Sequence, residues 1–129
     1  MTADQELDSK VKILEQFQGF NSSLLRILAD ETSPQVTLQM LSEFSKTVAA
    51  EMRQIEAGLV GHDQEKLKKA FHKLAGTSEL LGFPEHGRRW RYLSHQLAQG
   101  EALSELPQEL DEIRSLQKIL SEAMNQNVL

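Results

Sequence analysis

The sequence predicts an all-α protein, an antiparallel up-down-up-down four-helix bundle preceded by one or two shorter N-terminal helices. Three observations carry this. Apolar residues recur at three- and four-residue spacing through most of the 129 residues, the period of a helix with one buried face. The chain has only three prolines and seven glycines and almost no β-branched runs, which favours helices over strands. The connections are short, and a short turn sets successive helices antiparallel as neighbours.

Residues 3–18 read as a helix with Leu7, Val11, Leu14 and Phe17 on one face, ended by Gly19. Asn21 or Ser22 can cap a short second helix carrying Leu24, Leu25, Ile27 and Leu28. After the break at Asp30–Pro34, Ser33 is a good N-cap with Pro34 at the first helical position. The long helix that follows, to about Leu59, has a strong stripe of Leu41, Phe44, Val48, Met52, Ile55 and Leu59. Val36 and Met40 lie off the stripe, either covering the N-terminal segment or exposed. Gly61-His62 makes a turn, and Asp63 caps the next helix, whose stripe is Leu67, Ala70, Phe71, Leu74, Ser78 and Leu81.

Gly82-Phe83-Pro84 separates that helix from one with Phe83, His86, Trp90, Leu93 and Leu97 inward, closed by Gly100. His86 interrupts an apolar row, as interior histidines with a hydrogen-bond partner do. A loop around Ala102–Leu106 leads to a last helix from Pro107 to Met124, and residues 125–129 are expected to fray. Length fits a single domain, with residues 1–30 a helical extension and 31–129 the bundle.

The absence of cysteine excludes disulfides, thiolate metal sites and a cysteine nucleophile. No apolar run suits a membrane span and no signal pattern opens the chain, so a cytoplasmic protein is expected. With 14 Lys plus Arg against 19 Asp plus Glu, net charge −5, general nucleic-acid affinity is not expected. The positive charge is local: Lys66, Lys68, Lys69 and Lys73 lie around His72, and Arg88, Arg89 and Arg91 crowd the next helix. A basic island of this kind suits a small anionic target.

His72 stands within this basic island. It falls about 140° from Leu67 around the helix, so it faces water, with Lys68 and Lys69 one turn before it and Gly76 one turn after. An exposed helical histidine is ordinarily a solvated residue. Here, though, a glycine that costs about 1 kcal/mol relative to alanine occupies an exposed helical position, which leaves room for something to approach the imidazole. A catalytic triad would need a cleft, a di-metal bundle site would need inward Glu-x-x-His pairs, and neither pattern is present. No metal ligand set is assigned. An exposed imidazole, with a reference pKa of about 6.5, is largely neutral at pH 7 and can act as a nucleophile itself.

The string Phe71-His72-Lys73-Leu74-Ala75-Gly76-Thr77-Ser78-Glu79-Leu80-Leu81-Gly82 resembles the signature of histidine-containing phosphotransfer (HPt) domains, commonly written A-H-x-L-K-G-S-x-x-x-L-G. The resemblance extends over about residues 24–124. It implies a non-enzymatic phosphocarrier, phosphorylated on His72 by the aspartate of one response-regulator receiver domain or hybrid sensor kinase and passing the group to another receiver. The receiver would supply Mg²⁺, and this chain would carry no cofactor. Gly76 matches the clearance position, and Ala75, Glu79 and Leu80 flank it on the expected docking surface. The family's lysine three residues after the histidine is Ala75 here. Compensation is expected from Lys69 and Lys68, with Lys73 pointing about 100° away, and Ser94 or Arg91 of the next helix is expected level with His72.

Other readings stay open. The bundle can be a helical interaction module that binds receivers or other partners without carrying phosphate, or a nucleic-acid-binding bundle using the Arg88–Arg91 run. A monomer is expected.

Overall fold

The computed structural model describes residues 1–101 and 104–125. Among them all regular structure is helical, in six helices: α1 (Ala3–Leu14), α2 (Ser22–Glu31), α3 (Pro34–Gly61), α4 (Gln64–Leu80), α5 (Pro84–Ala98) and α6 (Leu106–Met124). The helix starts follow local chemistry. Thr2 and Gln5 form a reciprocal capping box at α1, and Asn21, Ser33 and Asp63 each accept a backbone N–H at the starts of α2, α3 and α4. Pro34 stands at the first position of α3, where its missing N–H costs nothing. The turn into α4 passes through His62 in the left-handed conformation, φ 52°, short enough to fold α4 straight back along α3.

Helices α3 and α4 run antiparallel: Leu67 packs at Gly58, Lys73 reaches Glu51, and Leu80 and Thr77 lie beside Met40 and Thr47. Helix α5 returns along α4, with Ser94 against Lys68 at one end and Gly87 against Ala75 at the other. Helix α6 returns along α5 through the His86–Glu112 and Arg89–Glu109 contacts and packs on α3. The expected stripes are the core. Phe44, Phe71, Phe83, Leu74, Trp90 and Ile113 are fully buried in one continuous cluster. Val36 stays exposed, and Met40 packs partly against the core beside Leu80.

The N-terminal segment shares this core. Leu7, Val11 and Leu14 are buried, α1 packs on α3 and α6, and the Lys10 ammonium donates to the Ala123 carbonyl at 2.9 Å, supplying a partner to a C-terminal carbonyl of α6. The first helix ends at Leu14 rather than residue 18. Beyond it the chain turns so that Phe17 packs edge-to-face and Phe20 at a tilt against Phe83, Phe17 meets His86, and the Asn21 N–H donates to the Gly82 carbonyl at 2.7 Å. Tertiary aromatic packing, not helix propensity, decides that boundary. Gly82 is needed here: its φ is +100°, and a Cβ would meet the Phe20 ring. The long helix continues two residues past Leu59 and the last begins at Leu106; of the loop expected around Ala102–Leu106 and the fraying expected over 125–129, residues 102–103 and 126–129 lie outside the described residues.

Candidate functional site

His72 is exposed on α4, whose opposite face is fixed by Leu67, Phe71 and Leu74 in the core. The imidazole is therefore held by a stiff scaffold while its ring stays in solvent. It lines an open depression of ≈460 Å³ with Lys68, Lys69, Lys73 and Ser94. One turn on, a side chain built at Gly76 would meet nothing within 4 Å. The space next to His72 is empty, and no packing within the chain requires a glycine there.

The charges are arranged differently from the expectation. Of the four lysines expected as a basic island, Lys68, Lys69 and Lys73 face the chain's own carboxylates. Lys68 pairs with Glu65 at 2.9 Å, and Lys69 approaches the same carboxylate at 3.8 Å. Side chains on a helix lean toward its N-terminus, so these two lysines lean away from His72 and toward Glu65. The Lys68 ammonium holds the Glu65 carboxyl below its ordinary value of 4.5, with Lys69 adding to the effect. Lys73 reaches across to Glu51 on α3, 3.8 Å away.

Two residues expected near the imidazole bond elsewhere. Arg91 forms a two-point ion pair with Glu79, 3.0 and 2.9 Å. Its backbone is level with His72, but on antiparallel α5 a side chain leaning toward its own N-terminus points to the C-terminal half of α4. The guanidinium holds the Glu79 carboxyl below 4.5. The Ser94 hydroxyl donates to the Lys68 carbonyl at 3.0 Å, so it closes the floor of the depression rather than bonding His72.

Ala75 is also corrected. It is fully buried and belongs to the α4–α5 seam, not to a docking surface. A Cβ on Gly87 would lie 2.9 Å from the Ala75 carbonyl and clash with Glu79, so the helices approach closely where both residues are small. The outward face of α4 is therefore His72, Gly76 and Leu80, with Leu80 half-exposed and Glu79 engaged at the edge. Gly87 and Glu65 are contributors that sequence reasoning missed. The Glu65–Lys68–Lys69 spacing of three and four residues was the available signal for the second.

Comparison with protein families identifies the domain. The Hpt domain family model matches residues 39–126, a span that includes α4 and His72. The chain belongs to the Hpt domain family. No curated protein and no solved structure matches it. Hpt domains are phosphocarriers of two-component phosphorelays rather than catalysts, and that is the class of activity to which this chain's fold belongs. Within the Hpt domain two arginines of the Arg88–Arg91 run are paired inside the chain, Arg89 with Glu109 and Arg91 with Glu79. Among the described residues no helix is long and apolar enough to cross a membrane.

Proposed function

We propose that helices α3–α6 form the up-down-up-down bundle of an HPt domain, and that His72 accepts a phosphoryl group from the aspartyl phosphate of one receiver and returns it to another. The ring nitrogen without hydrogen attacks phosphorus. The bond from phosphorus to the aspartate oxygen breaks, and its electron pair leaves on the carboxylate. The other ring nitrogen retains its proton or releases it to water. Such a transfer asks for positioning and charge stabilisation rather than covalent machinery, and Mg²⁺ on the receiver supplies charge stabilisation when the two proteins meet.

The observation that carries this reading is the pairing of exposed His72 with open space over Gly76. In the isolated chain a glycine at an exposed helical position costs about 1 kcal/mol and gains nothing. It gains its use when a partner's active-site rim descends onto His72. Leu80 extends that face, and Lys68 and Lys69 are the cations that can exchange Glu65 for a phosphoryl oxygen. A hybrid sensor kinase or another receiver-bearing protein fits as donor, and a single cytoplasmic copy of this chain suffices.

The test is incubation with a phosphorylated receiver domain. Acid-labile phosphate is expected on the wild-type chain and none on His72→Gln. Absence of label on the wild type, or equal label on both, rejects the proposal. Stable receiver binding without labelling would favour an interaction module that carries no phosphate.

A further inference from the structure

The cations beside His72 are occupied, and the manner of their occupation has a chemical consequence. Glu65 lies seven residues before His72, which returns it to within about 20° of the same helix face and about 10 Å along the axis. Between them stand Lys68 and Lys69, both bound to Glu65 and both lining the depression that contains His72. Neither position on the C-terminal side that leans back toward His72 carries a cation: Ala75 is buried in the seam, and residue 76 is glycine. Lys73 and Arg91 are held by Glu51 and Glu79. A phosphoryl group on His72 therefore gains lysine contacts only by taking them from a carboxylate that already has them.

We propose that Glu65 is a positioning residue that draws Lys68 and Lys69 away from the phosphoryl group, keeping the phosphohistidine weakly held and ready to transfer. The inference rests on the reading of His72 as the phosphorylated residue. A dianionic phosphoryl group is stabilised by each ammonium that contacts it. Stabilising it lowers the tendency of the phosphorus–nitrogen bond to break, whether the attacker is water or a receiver carboxylate oxygen, with the bonding pair returning to the ring nitrogen. Competition by Glu65 sets this chain toward fast relay rather than storage. Glu65 is also the informative carboxylate to remove. It is exposed and holds two lysines, whereas Glu51 is buried and Glu79 belongs to the α4–α5 seam.

The experiment needs no partner for its first arm. Wild type, Glu65→Gln and Glu65→Gln combined with Lys68→Met and Lys69→Met are phosphorylated with phosphoramidate, and the half-life of phosphohistidine is followed by phosphorus NMR. In the second arm, the equilibrium of transfer to a receiver domain is measured for the same three proteins. Glu65→Gln is expected to lengthen the half-life and shift the equilibrium toward phosphohistidine by about two- to five-fold, the range of an exposed ion pair. Loss of both lysines is expected to remove that gain. A half-life for Glu65→Gln equal to or shorter than that of wild type overturns the inference alone, as does a gain that survives without the lysines. Wild-type protein that takes no label at His72 overturns the proposed function, and the inference with it.

Discussion

Two glycines on neighbouring helices separate what this chain does for its fold from what it offers to others. Gly87 sits where α5 crosses α4, and a methyl group there would run into Glu79 and the Ala75 backbone. Gly76 sits on the outward face of α4, and a methyl group there would touch nothing. The residue type is the same, but the first is required by contacts within the chain and the second by none of them. A position that weakens its own helix without helping its own core points to a contact made with another molecule.

The largest expected effect comes at His72, one turn before Gly76. His72→Gln is expected to abolish phosphoryl acceptance while melting stays within about 0.5 kcal/mol of wild type, as for exposed substitutions generally. A large loss of stability would show that the imidazole supports the fold. Next, Gly87→Ala is expected to destabilise by about 1–3 kcal/mol through overpacking of backbone against backbone, read by urea unfolding, with transfer unaffected in the folded fraction. An unchanged midpoint would break the comparison.

Gly76→Ala should move stability the other way, up by about 0.5–1 kcal/mol, while transfer from a receiver slows by about tenfold or more because the reacting atoms are held apart. Faster or equal transfer would remove the argument from clearance. The smallest effect concerns the edge of the seam. Glu79 has a folded-state pKa below its ordinary 4.5, caused by Arg91. Its contribution is thus present above pH 4.5 and is lost as pH falls through the lower folded value. The stability difference between wild type and Glu79→Gln is expected at pH 6–7 and should vanish in acid. A difference that grows in acid would contradict the assignment.

Much of this was legible in the chain. The α4 stripe from Leu67 to Leu81 gave the buried face, and with it the outward direction of His72, because helical period alone fixes which residues oppose each other. The caps at Asn21, Ser33 and Asp63 gave three helix starts. What periodicity could not give was the width of a buried face, which depends on the neighbour. Ala75 lies at the flank of the stripe and becomes interior only because Gly87 lets α5 come close. Ion pairs across helices were equally hidden, since Arg91–Glu79 and Lys73–Glu51 follow from the register of two hairpins and not from spacing along one strand of sequence. The interior place of His86 was expected, but its partners were not. Phe17 is separated from it by three intervening helices, α2 to α4, and Glu112 lies on the following helix, α6.

The clamp of Phe17, Phe20 and Asn21 on the Gly82–Phe83 corner changes where the working unit should be cut. The family match begins at residue 39, yet the corner between α4 and α5 is gripped by residues well upstream. A fragment trimmed to the matched span would bare Phe83 and the faces of α3 and α6 that Leu7, Val11 and Leu14 cover. Such a fragment should dimerise or bind hydrophobic dyes, although every residue of the phosphotransfer motif is still in it.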